Sequence, residues 1–198
     1  MKQFRGISDV YVAKVLTDTV EKYETDEPVR LCYAAKVGKE VSSDSASIFL
    51  DNKAMAVINS EGADELTIEG SALDLDVLAL ITGKKYIAEK DMFIDGERTV
   101  DKFALGYKEK MTDGSYRFNW RFAVTFAIPS EESNTEDDGT DSVGQTVNAT
   151  GVFCNHVFAA NDNKPAKGFV CTDAKVETSD WFTEVKTPDT VELKAVSQ

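Results

Sequence analysis

His156, the only histidine of the chain, follows Cys154 by two residues. On a strand that spacing puts both side chains on one face, a geometry open to a metal or to a thiol–imidazole pair. A zinc site needs further ligands of the same kind, and a cysteine nucleophile needs an activating setting that its neighbours here do not supply. The pair is therefore read as packing. The three cysteines, Cys32, Cys154 and Cys171, are widely spaced and form no CxxC pair. They are read as reduced structural thiols, with one disulfide still open to them. Residues 130–142, SEESNTEDDGTDS, hold six carboxylates and no apolar side chain. The ligand spacing, central glycine and closing glutamate of a calcium loop are missing, so this stretch is expected to be solvated or ordered by a neighbouring subunit. Asn148-Ala149-Thr150 fits a glycosylation sequon, which carries no weight without a secretory signal. A phosphate-binding glycine loop and a Ser/His/Asp arrangement are both lacking. No catalytic, cofactor-binding or metal residue is assigned, and the chain is expected not to be an enzyme.

The elements that would have to position any site belong to a chain of 198 residues, enough for one domain with a real core. With 42% hydrophobic residues, global disorder is not expected. No run approaches the ~20 apolar residues that cross a bilayer, and the opening MKQFRGISDVYVAKV lacks the apolar core of a signal peptide. A soluble, cytoplasmically synthesised product without membrane insertion is the expectation. The formal net charge of -13 has the wrong sign for tight nucleic-acid binding through Lys and Arg.

Residues 6–15 read as a turn and a strand, and 17–27 as a polar loop or extension. A second strand covers 29–37, with Val29, Leu31, Tyr33, Ala35 and Val37 sharing one face at period two. Gly38 and Lys39 are expected to make a tight connection into a strand over 41–50, whose small polar residues occupy both faces. A polar loop then leads into 64–70, where Leu66 and Ile68 face one way and Glu65, Thr67 and Glu69 the other. Leu73, Val77, Leu80 and Ile81 recur at helical spacing, with Asp74 and Asp76 in the first turn and Gly83 to close the helix. Residues 103–108 and 116–128 form a hairpin around Thr112-Asp113-Gly114-Ser115. In its second arm Tyr116, Phe118, Trp120, Phe122, Val124, Phe126 and Ile128 are expected on one face. Arg117, Asn119, Arg121, Ala123, Thr125 and Ala127 take the other, and Pro129 ends the strand. Strand character resumes over 145–158 and 168–172, Trp181-Phe182 makes an aromatic contact, and the last dozen residues read as a tail. The fold expected is mainly β with an α+β lean, an antiparallel β-sandwich or half-barrel with one short helix. It forms a single domain over 1–198, with an N-terminal arm about 1–27, an acidic loop 130–143 and a C-terminal extension about 187–198.

The ordered set of segments resembles the major tail tube protein of long-tailed (siphovirus) bacteriophages, the phi13-type family. The likeness runs over about residues 6 to 158. Gly6-Ile7-Ser8-Asp9-Val10-Tyr11-Val12-Ala13-Lys14-Val15 looks like the family's opening. Leu50-Asp51-Asn52 looks like the step that ends its long strand, and Ser60-Glu61-Gly62 before Leu66-Thr67-Ile68-Glu69-Gly70 like its glycine turn into an alternating strand. The helix over 73–83 follows in the family's order. So does Phe103-Ala104-Leu105-Gly106-Tyr107, with its Asp-Gly hairpin and the Tyr116-Arg117-Phe118-x-Trp120 arm. Pro129-Ser130-Glu131-Glu132 and Thr150-Gly151 resemble the close of the core. The cysteines and the region after Phe158 match no family pattern.

The resemblance implies a tail-tube fold and homohexameric rings stacked into a hollow conduit for DNA ejection. Its implied partners are the chain itself, the tail tip or initiator, the tape measure and the tail terminator. DNA passes through the lumen without specific binding, and no cofactor is needed. The implied location is the virion, after synthesis in the host bacterial cytoplasm. An acidic lumen would keep the duplex centred by repulsion over about 8 Å. The alternatives are the tube of a phage-tail-like bacteriocin or contractile injection apparatus, which a neighbouring sheath gene would reveal, and a free-standing β-sandwich binding module.

Overall fold

Period-two alternation and β-branched or aromatic residues put most of this chain into one antiparallel, nine-stranded sheet. A computed structural model describes residues 2–50, 53–131 and 144–194, without the side chains of 44–50 and 53–59. In chain order the strands are β1 (Phe4–Asp18), β2 (Tyr23–Thr25), β3 (Val29–Cys32), β4 (Ala34–Leu50) and β5 (Lys53–Gly70). Helix α1 (Leu75–Thr82) follows, then β6 (Lys85–Ile87), β7 (Met92–Ile94), β8 (Phe103–Met111) and β9 (Tyr116–Phe126). The chain continues through β10 (Gln145–Val152), β11 (Val157–Phe158), β12 (Lys164–Pro165) and β13 (Gly168–Thr172). The protein is mainly β and antiparallel, with one α-helix among the described residues.

The sheet runs β2-β1-β8-β9-β10-β5-β4. On its edge away from β8, β1 also pairs with β3 over Val10–Val12. Since β3 runs on past Tyr33 into β4, the path returns to β1 and closes a barrel at that level. Beyond it, residues 4–8 of β1 and β4 after Ala34 share no ladder, and the barrel opens on one side. Val10, Val12, Leu31, Leu66, Ile68, Phe103, Leu105, Val124 and Phe126 fill the interior. Val77, Leu78 and Ile81 of α1 pack onto the same core, and Gly83 closes the helix in the left-handed conformation.

A second core lies on the outer face of the barrel. Phe118, Trp120 and Phe122 of β9 are covered there by Cys154, Phe158, Trp181 and the segments around them. The edge of β9 is divided between two partners: β13 pairs with Arg117–Arg121, and β10 with Ala123–Phe126. Residues 187–194 are part of this outer layer rather than a free tail. Asp189 accepts the Ala159 and Ala160 amides at 2.9 and 2.8 Å, and Leu193 bridges to Val176. The stretch read as an N-terminal arm carries β1, a paired strand of the sheet, together with β2.

Several local expectations are corrected. The aromatic stripe of β9 does not share one face. From the Phe103–Val124 pair to the Leu105–Arg121 pair, β9 advances one residue more than β8. That bulge reverses the parity, so Phe118, Trp120 and Phe122 face the outer layer while Val124 and Phe126 face the barrel interior. Asn119 and Arg121, expected toward solvent, are consequently 1% and 12% exposed on the inner side. The strand expected over 29–37 breaks at Tyr33, which is 73% exposed while its neighbour Cys32 is buried. Gly38 and Lys39 make no turn; they pair with Thr67 and Leu66 inside one continuous ladder. The polar loop before residue 64 is instead the first half of β5, paired with β4 back to Lys53. β9 ends at Phe126, and Ile128 is exposed. Glycine is required at position 106, where a Cβ would lie 2.7 Å from the Trp120 ring.

Candidate assembly interface

β10 covers the edge of β5 only over Asp64–Gly70. Beyond that point β4 and β5 continue as a two-stranded ribbon, from the Ser43–Glu61 pair to Leu50–Lys53. The ribbon projects about 25 Å past the barrel at the usual strand rise. Neither of its outer edges pairs with another strand among the described residues. Two unpaired edges of this length present rows of amides and carbonyls to any chain that meets them. A two-stranded ribbon is also marginal by itself in water. Val41–Ser47 is strand, as expected from the sequence.

A charged cluster holds the root of the ribbon. Between Val41–Asp64 and Ser43–Glu61, β5 gains a residue over β4, a bulge at Gly62 and Ala63. Lys167, from the loop before β13, reaches this bulge with its Nζ. It donates to Glu61 Oε1 at 2.6 Å, to Asp64 Oδ1 at 3.1 Å and to the Gly62 carbonyl. The Asp64 carboxylate also faces Arg121 at 3.3 Å and Lys39 at 3.7 Å. Its side chain is 1% exposed, so it is a buried acid among three cations. Burial works against the Lys167 charge, but hydrogen bonds and attraction from Glu61 and Asp64 outweigh it and raise the lysine above its ordinary pKa.

Beside the root, the open side of the barrel forms a cavity of about 460 Å³ between β1 and β4. It is lined by Arg117, Asn119 and Arg121, which the β9 bulge turns inward, and by Glu109 of β8. Asn119 donates to Glu109 at 3.1 Å, and the Arg117 guanidinium lies 4.9 Å from the Phe4 ring at the lip. A second bulge lies near this opening in β1. There Asp9 adopts φ +54°, and its carboxylate pairs with Lys108 at 2.6 Å and Arg30 at 3.2 Å. Burial opposes the Asp9 charge, yet the two cations win and hold its pKa below the ordinary value.

Cys154 and His156 do not converge on a site. β10 ends at Val152, so the two residues lie in the turn after it and not on a strand. The Cys154 thiol is directed at the backbone oxygens of Ala166 and His156, at 3.1 and 3.4 Å. The His156 ring packs edge-on against Phe158, with centroids 4.9 Å apart. All three cysteines are free thiols. Among the described residues no group of three or more His, Cys, Asp and Glu could hold a metal ion. The acidic stretch lies, from residue 132 to 143, outside the described residues, as do Asp51 and Asn52.

Lys167 was not legible as functional from sequence, since a lysine in a loop carries no signal. Asp64 did carry one. It shares parity with Leu66 and Ile68, and an acid on a buried face needs cationic partners.

No family model, curated protein or solved structure matches the chain. No described helix is long and apolar enough to cross a membrane.

Proposed function

We propose that this chain is a structural subunit of a phage tail tube, whose homohexameric rings stack into a conduit for DNA ejection. The observation that carries the reading is the β4–β5 ribbon, which leaves the barrel with neither outer edge paired to another strand among the described residues. Joining such edges from copy to copy around a ring would remove every free edge, and a repeated heterologous contact closes when its rotation closes. On this reading the protein performs no reaction and needs no cofactor. Its partners are other copies and the tail tip, tape measure and terminator components, and its place is the virion.

The net charge of -13 supports a conduit that repels rather than holds DNA. β4 and β5 together carry six acidic and three basic residues, so these strands share the acidic balance of the chain. Mapping the lumen-facing side chains of an assembled tube tests this, and a net basic wall would reject it.

Negative-stain electron microscopy of the purified protein across a concentration series tests the class. Six-fold rings or hollow tubes are the expected result. Particles that stay monomeric, even with tail tips added as initiators, would instead assign the chain to the β-sandwich binding modules.

A further inference from the structure

The outer layer and the ribbon are far apart in sequence, yet one side chain joins them. Lys167 precedes β13, which is hydrogen-bonded to β9, and the Lys167 carbonyl accepts the Phe122 amide at 2.9 Å. Its backbone is thereby tied to β9, along the edge where β13 docks, while its ammonium holds the ribbon root through three separate oxygens. The held point is one of three irregularities in the β4–β5 ladder, the one where β10 stops covering β5. A bulge bends and twists a strand, so the ribbon direction is decided there. The site for a Cβ on Gly62 is already occupied by the Ser42 hydroxyl, 2.2 Å away, so the two strands are pressed together at this point.

We propose that Lys167 is a clamp that locks the ribbon root to the outer layer, so that the ribbon is presented in one direction only after the 153–172 region has docked. Without that docking Glu61 and the Gly62 carbonyl lose their common donor, and the root keeps only the ladder, the Ser42–Ala63 hydrogen bond and the Asp64 contacts with Arg121 and Lys39. Residue 167 lies 103 positions after Asp64, so the clamp closes only when these two distant segments have come together. The device therefore links docking of the 153–172 region to display of the edges. The clamp needs only the intramolecular contacts; its consequence for assembly rests on the tube reading.

Hydrogen–deuterium exchange on the full-length, unassembled protein tests it, comparing wild type with Lys167→Met. Asp64 keeps Arg121 and Lys39 in this variant, so the carboxylate is not left without cations. Amides of residues 41–43 and 60–66 should exchange roughly tenfold faster or more, while those of β8 stay protected. Unchanged exchange at the root with β8 intact overturns the clamp. If Lys167→Met strips protection from β8 as well, Glu61→Ala decides, because it removes the acceptor of the Lys167 bond. Glu61 is 61% exposed, so its replacement spares the core. Faster root exchange in Glu61→Ala supports the clamp, and unchanged exchange refutes it. Electron microscopy of the same proteins separates the two readings. A wild type that never forms rings removes the tube proposal, while the exchange data still judge the clamp.

Discussion

Replacing Trp181 by alanine tests whether the C-terminal third is a structural layer of the barrel. Trp181 is 1% exposed, and its ring lies 5.2 Å from Phe118 and 5.6 Å from Phe169, centroid to centroid. Truncating a buried tryptophan to alanine costs about 3–5 kcal/mol through lost burial and a residual cavity. Its indole N–H is buried with no hydrogen-bond partner among the described residues, so removing it relieves a small penalty and places the expected cost near the lower end, about 3 kcal/mol. Unfolding a domain of this size in urea has a slope near 2.5 kcal/mol per molar, so the midpoint should fall by about 1 M. Circular dichroism follows the transition. Trp120 remains as the sole tryptophan and reports on the barrel side of the same core. Trp181→Phe keeps a ring and drops the unpaired N–H, and should cost no more than about 1.5 kcal/mol. A Trp181→Ala cost under about 1 kcal/mol would refute the argument that this layer is packed against β9.

Gly106→Val should destabilise by about 1–3 kcal/mol in the same assay, because the added carbons meet the rigid, fully buried Trp120 ring. A neutral substitution would mean that the ring can move aside. Asp9 has a depressed folded pKa, so its stabilisation is complete above the unfolded value near 4 and is lost as pH falls through the folded value. Asp9→Asn, which also tolerates φ +54°, should flatten the stability difference between pH 7 and pH 3; an unaltered pH profile contradicts the pairing with Lys108 and Arg30. Burial pushes the Cys32 and Cys171 thiols up to about 11. At pH 8 both should therefore react slowly with a thiol reagent in the native protein and fully after denaturation. Rapid native labelling of Cys32 would contradict its burial.

The helix over 75–82 and the 103–126 hairpin could be read from local pattern, because both are decided within a few residues. Helical spacing ending in a glycine and alternation around Asp-Gly need no distant information. Strand character in β1, β3, β4, β10 and β13 was legible for the same reason, whereas the first half of β5 read as a polar loop because its small and polar residues show no alternation. The faces were not. A single bulged residue between Leu105 and Val124 reverses the parity of β9, and nothing in a run of alternating aromatics marks where that residue falls. The result is a strand buried on both sides: aromatics against an outer layer, Arg121 and Asn119 against the open end of the barrel. Closure of the barrel through β3, the long β4–β5 ladder past Gly38, and the meeting of Lys167 with Asp64 likewise depend on which segments pair and in what register, the last across 103 positions. Local propensity settles what a segment is. Register, bulges and partners depend on which other segment it meets, and here only the tertiary structure decided that.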